Sequence, residues 1–147
     1  MIHDVILTPL RRIDDERGAV FQMLRCDDPR FRAFGEVYFS AVNEGAVKAW
    51  RRHSRLTMNC AVPVGRVLFV LFDDRPDSPS RGTIMEVTTG FDAYVLITVP
   101  PGIWNGFMGL GPGMALVANC ADLPHDPAEG EQRGPRDAGI PYDFHGA

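Results

Sequence analysis

The segment Gly45-Ala46-Val47-Lys48-Ala49-Trp50-Arg51-Arg52-His53 holds the densest set of chemically able side chains in the chain. With Arg55, four cations and one imidazole fall within eight positions. Extended backbone sends alternate side chains to opposite faces. Arg51, His53 and Arg55 are therefore expected on one face and Lys48, Trp50 and Arg52 on the other, unless a bulge intervenes. Such a cluster suits either a pocket for an anionic ligand or a solvated edge. Other chemistries lack their residues. No Gly-x-Ser-x-Gly occurs, and no cysteine has a plausible histidine partner. Gly109-Leu110-Gly111-Pro112-Gly113 is a tight loop that opens no helix, so it is not a phosphate cradle.

The elements that must position these residues are strands. Short runs rich in valine, leucine, isoleucine and phenylalanine recur between turn signals at 5–8, 19–24, 37–43, 47–53, 56–62, 67–72, 83–88, 94–99 and 114–120. Glu16-Arg17-Gly18, Pro63-Val64-Gly65, Thr89-Gly90 and Pro100-Pro101-Gly102 break them through the freedom of glycine or the fixed φ of proline. This spacing predicts an all-β sandwich or barrel and excludes a parallel βαβ design. The run 67–72 is apolar at every position, so both its faces should be covered. The run 56–62 mixes Thr57 and Asn59 with apolar residues and is expected to turn one face to a polar cavity. One helical turn is expected at 28–34, interrupted by Pro29. The core is expected over 5–122 and a surface-wrapping tail over 123–147, the whole chain 1–147 forming one domain.

Composition narrows the function. The chain has 147 residues, enough for one domain with a core of its own. Its formal net charge of -4 gives no general attraction to nucleic acid or an anionic membrane, so any basic site is local. Cys26, Cys60 and Cys120 are an odd set without a close pair and fit a reducing compartment. No secretory leader or membrane span is expected, and the protein is read as cytoplasmic.

Five segments, in order, carry a resemblance. They are Asp15-Glu16-Arg17-Gly18-Ala19-Val20-Phe21; Val47-Lys48-Ala49-Trp50-Arg51; Asp74-Arg75-Pro76-Asp77-Ser78-Pro79-Ser80-Arg81-Gly82; Val99-Pro100-Pro101-Gly102-Ile103-Trp104-Asn105-Gly106-Phe107; and Ala118-Asn119-Cys120-Ala121-Asp122, followed by Pro124 and Glu129. They resemble the D-x-R-G-x-F, V-x-[RK]-G-x-H, D-x-R-x-x-S-P-T-x-G, P-x-G-x-x-H-G-F and Y-x-x-T-D motifs of the dTDP-4-dehydrorhamnose 3,5-epimerase family. The resemblance covers residues 10 to 130. It implies a cupin-like double-stranded β-helix, a jelly-roll barrel or sandwich, with a short irregular C-terminal tail. It implies an isomerase or epimerase acting on a nucleotide-linked 4-keto sugar in surface polysaccharide biosynthesis, commonly as a homodimer whose first strands cross to the neighbouring sheet.

The resemblance fails at its chemical centre. The family's histidine base is matched by Arg51 and its tyrosine acid by Ala118. The carboxylate that orients the base belongs to a C-terminal region with no evident counterpart here. Arginine stays protonated and cannot be a base. It can hydrogen-bond a keto oxygen and stabilise the enolate formed when the neighbouring carbon loses its proton. His53, about 6.6 Å further along the strand on the same face, is the candidate base, and Arg51 beside it favours the neutral imidazole. The alternative is that His53 binds ligand without proton chemistry.

Arg17 and Lys48 match the family's phosphate- and sugar-binding positions, and Asn105 stands where its loop carries histidine. Asn59, Arg75 and Trp104 complete the substrate-binding candidates. Arg75 reads equally as a structural ion pair, and Trp104 equally as core. A metal is not expected, because Arg51 and His53 occupy what would be the His-x-His pair of metal cupins and no further ligand follows. No cofactor is expected. Two other readings stand beside the enzyme: a non-catalytic nucleotide-sugar or carbohydrate-binding cupin, and a structural cupin with Arg51 neutralised by Glu36 or Glu86.

Overall fold

Alternating and wholly apolar runs become strands over most of the chain. A computed structural model describes residues 1–146, with twelve strands and no helix among them. They are β1 (Ile6–Pro9), β2 (Arg12–Asp15), β3 (Gly18–Phe21), β4 (Glu36–Val42), β5 (Val47–His53), β6 (Met58–Val64), β7 (Arg66–Asp73), β8 (Ile84–Gly90), β9 (Val95–Val99), β10 (Ile103–Gly109), β11 (Ala115–Ala121) and β12 (Gly130–Gln132). The first sheet runs β1-β9-β6-β11-β4 and the second β12-β5-β10-β7-β8, while β2 and β3 form a hairpin. Every strand pairing is antiparallel. This is the expected all-β jelly-roll sandwich.

The main core lies between the sheets, where Met58, Cys60 and Val62 of β6 meet Val67, Phe69 and Leu71 of β7. The other face of β7 is also covered. Val70 and Phe72 pack with Trp50, Trp104, Ile140 and Phe144, so residues beyond 123 form an outer layer on the second sheet. The Arg133 N–H and carbonyl pair both ways with Trp50. Apolar residues at 10, 21, 23 and 24 cover Ala61, Tyr94 and Leu96 on the outer face of the first sheet.

Two local expectations fail. Residues 28–34 form turns rather than a helical turn: the Asp28 carboxylate accepts from the Arg30 N–H, and Pro29 has no N–H to offer a helix. Strand β6 does not turn a polar face to a cavity. Asn59 points outward from the first sheet and its amide oxygen accepts from the Thr98 hydroxyl at 2.6 Å, while the inward positions are apolar.

At the end of β7, Asp73 is fully buried and accepts from the Arg75 guanidinium and the Ser78 and Ser80 hydroxyls. Burial pushes its carboxyl up, but those hydrogen bonds outweigh it and hold the group below its ordinary 3.8. A carboxyl so depressed stabilises the fold fully above its unfolded value and loses that contribution as pH falls through the folded one. Asp73→Ala should therefore cost about 3 kcal/mol at pH 7. Urea titrations below about pH 4 should show a shallower pH dependence in the variant than in the parent.

Candidate active site

A β-bulge determines which side chains of β5 face inward. Arg51 pairs with Asn105 and Lys48 with Phe107, so Ala49 and Trp50 together oppose Gly106. Gly106 accommodates the bulge because any side chain there would collide with Ala49. The extra residue offsets the alternation. Lys48, Arg51 and His53 all border one cavity, while Trp50 and Arg52 turn outward. Lys48 is thus on the face of Arg51, not on the opposite face that regular pleating predicts.

The cavity lies where β4, an edge of the first sheet, faces β5 and β12. It has two adjoining lobes of about 560 and 590 Å³. Tyr38, Arg51, His53, Met58 and Gln132 border both. The first lobe adds Lys48, Asn105 and Asn119 and contains no carboxylate among the described residues. The second adds Glu36, Asp126 and Glu129. One end is basic and the other acidic, with His53 at the junction.

The carboxylate absent from the sequence reading is Glu129. Its Oε2 lies 2.8 Å from His53 Nδ1, and its Oε1 accepts from the backbone N–H groups of Arg55 at 2.8 Å and Leu56 at 3.0 Å. Its carbonyl accepts from the Ser54 N–H and hydroxyl. Burial pushes the Glu129 carboxyl up, but the Arg55 N–H, His53 and the Leu56 N–H outweigh that and hold it low. An ionised carboxylate only accepts, so the neutral imidazole in this pair carries its proton on Nδ1 and its lone pair on Nε2. Nε2 makes no hydrogen bond to a described residue.

Tyr38 was also not singled out from the sequence. It occupies an inward position of β4, and its phenol oxygen accepts from Arg51 Nη1 at 3.5 Å. Burial pushes the phenol above its ordinary value; Arg51 opposes this, and Cys60 and Glu36 reinforce it. Tyr38 is therefore a protonated donor at neutral pH. Ala118, the position matched to the family's tyrosine, pairs with Phe39 and Ala61 on the outward side of β11, and Asn119 takes the inward side.

The other candidates divide by position. Asn105 borders the first lobe and donates to the Arg51 carbonyl at 3.2 Å, and Lys48 Nζ donates to Ser40 at 3.0 Å. Arg17 sits at the β2–β3 hairpin, largely exposed and paired with Asp15, away from both lobes. Asn59 faces outward. Arg75 is spent on Asp73, Asp4, Ser78 and the His3 carbonyl. Trp104 is buried in the outer layer, donating to Asp74 and lying beneath the Arg52 and Arg133 guanidinium groups. Neither Glu36 nor Glu86 pairs with Arg51; Glu86 instead accepts from the Tyr142 hydroxyl.

No protein-family model matches the chain. It is 32% identical over 144 residues to the probable low-salt glycan biosynthesis epimerase Agl13 of Haloferax volcanii, covering 97% of this chain and 89% of that protein. A dTDP sugar isomerase from Desulfovibrio desulfuricans G20 is 47% identical, with a TM-score of 0.94 over 99% of this chain and 94% of its own. A dTDP-6-deoxy-D-glucose-3,5-epimerase from Legionella pneumophila, in complex with dTDP-4-keto-L-rhamnose, has the same fold at 21% identity, with a TM-score of 0.85 over 97% of this chain and 79% of its own.

Glu129→Ala removes the acceptor of three N–H groups together, and should lower unfolding free energy by about 3 kcal/mol at pH 7. Glu129→Gln, which keeps an oxygen acceptor, should lose less. Denaturant titration of both variants checks the order.

Proposed function

The chain belongs to the nucleotide-sugar epimerase family typified by dTDP-4-dehydrorhamnose 3,5-epimerase, and on that premise we propose that it moves a proton on the carbon beside the ketone of a nucleotide-linked 4-keto sugar, in surface polysaccharide biosynthesis. The observation that carries this reading is the His53–Glu129 pair opening into the cavity beside Arg51 and Tyr38. It supplies a base, although arginine stands at the matched base position.

His53 Nε2 takes the proton from the carbon next to the ketone. The C–H electron pair becomes the carbon–carbon double bond of an enolate, and the carbonyl electrons move onto oxygen. The Arg51 guanidinium hydrogen-bonds that oxygen as its charge develops. Tyr38, from the opposite sheet, returns a proton to the carbon and is reprotonated by solvent. Glu129 stabilises the imidazolium formed in between, which then gives its proton to solvent. The basic lobe takes the diphosphate through Lys48, which offsets part of its charge. Asn105 adds a hydrogen-bonding amide to the same wall.

The same reading makes the protein a cytoplasmic homodimer. Ile13 and Val20, cross-strand partners on the hairpin, are exposed, as are Val37 and Phe39 on the outward side of the edge strand β4. Pairing of these surfaces between copies would hide apolar area and carry Arg17 to the neighbour's cavity mouth. The three unpaired cysteines support a reducing compartment. No helix among the described residues is long and apolar enough to cross a membrane.

Incubation with a dTDP-linked 4-keto-6-deoxyhexose in D₂O tests the chemistry. Deuterium should enter the carbon next to the ketone, and His53→Ala should slow its entry by about 10²- to 10⁴-fold. Tyr38→Phe should lower epimer formation while leaving proton abstraction by His53 measurable as exchange. Binding of the sugar nucleotide without exchange in the parent protein would sink the enzyme reading.

A further inference from the structure

Strand β12 contributes to the cavity in a way that the acid–base pair does not account for. Its register against β5 places Gly130 opposite His53, Glu131 opposite Arg52 and Gln132 opposite Arg51. Paired residues share a face of the sheet. Glu131 lies with the outward-facing Arg52 and pairs with it at 2.7 Å. Gly130 and Gln132 consequently stand beside the two groups to which the chemistry is assigned.

Nothing in the backbone demands glycine at position 130. Its φ lies outside the left-handed region, and an added Cβ would meet only ordinary neighbours: the Arg52 carbonyl oxygen and His53 Nδ1 at 3.6 Å, and His53 Cε1 at 3.8 Å. The missing side chain leaves open the Cε1 edge of the imidazole, next to Nε2. Gln132 borders both lobes, and its amide makes no hydrogen bond to a described residue. Arg51 beside it has no carboxylate partner among the described residues and only the long contact to Tyr38. An uncommitted amide, able both to donate and to accept, therefore lies at the junction of the basic and acidic lobes, next to an uncommitted guanidinium and an unoccupied edge of the base.

We propose that Gln132 is a substrate-contacting specificity residue, hydrogen-bonding a hydroxyl of the sugar ring while Arg51 holds the keto oxygen, with the ring lying over Gly130. This rests on the epimerase reading. It adds that sugar selection is made by a strand from the C-terminal segment, separately from phosphate binding at Lys48.

The test uses the full chain and two ligands, dTDP and a dTDP-linked 4-keto-6-deoxyhexose. Gln132→Ala should reduce kcat/KM for the keto sugar by about 3- to 10-fold, the loss of one uncharged hydrogen bond, with most of the change in KM. The Kd for dTDP should stay within about twofold of the parent's, since that ligand has no sugar ring at this position. Gln132→Glu should reduce kcat/KM further by pairing with Arg51. Unchanged kcat/KM in both variants, or a Kd for dTDP that weakens in step with it, would overturn the assignment while leaving the epimerase reading intact. A parent protein that neither binds nor turns over the keto sugar would overturn both.

Discussion

The cavity depends on one carboxylate clamping one turn. Glu129 satisfies the Arg55 and Leu56 N–H groups that follow β5, receives the Ser54 side chain at its own carbonyl, and bonds the His53 imidazole with its second oxygen. A turn that leaves a sheet edge carries backbone donors that must be paired once they are buried. Here the group that pairs them also selects the histidine tautomer. Fold stability and proton chemistry therefore draw on the same few atoms. The residues next along the chain, β12 and the Arg133–Trp50 backbone pair, extend that clamp along the whole of β5.

The second constraint is the mismatch between β5 and β10. A strand with strict alternation could present Arg51 and His53 to the cavity, or Lys48 and Trp50, but not Lys48 with Arg51. One extra residue opposite Gly106 resolves this and leaves three nitrogen-bearing side chains on one wall. Tyr38 arrives from the facing sheet, so the phenol and the imidazole stand on different strands of different layers. Carboxylates border only one lobe, while Lys48 joins Arg51 at the other, which gives an anionic, asymmetric ligand one favourable direction of entry.

The strands were legible because apolar runs and turn residues are local signals. Three were missed: β2, β10 and β12. Strand β10 carries Asn105, Gly106 and Gly109 and begins directly after a Pro-Pro-Gly turn, while β12 has three residues, none of them apolar. At the cavity, Lys48, Arg51, His53 and Asn105 were legible because they lie on or pair with one dense segment. Glu129 was not, since it is 76 residues from His53 and sits in a stretch whose composition reads as tail. Tyr38 gave a usable signal, an inward polar-aromatic position in an alternating strand, whereas the matched position 118 lies on the outward side of β11. Trp104 and Arg75 each carried two readings, ligand or structure. Their motif positions pointed to ligand, whereas packing on Trp50 and the demand of the buried Asp73 account for them. Asn59 is spent in the same way on Thr98.

The placement of Glu129 also bears on how the molecule is made. Both long sheets can pair from residues up to 121, so a growing chain possesses nearly all of its framework before the carboxylate that completes the base has left the ribosome. The aromatic faces of Trp50 and Trp104 remain uncovered until Ile140 and Phe144 arrive. A nascent or truncated chain thus carries the anion-binding wall without an anchored imidazole, and shows an apolar sheet face to chaperones and proteases. Addition of residues 129–144 is itself the step that anchors the imidazole and closes the outer layer.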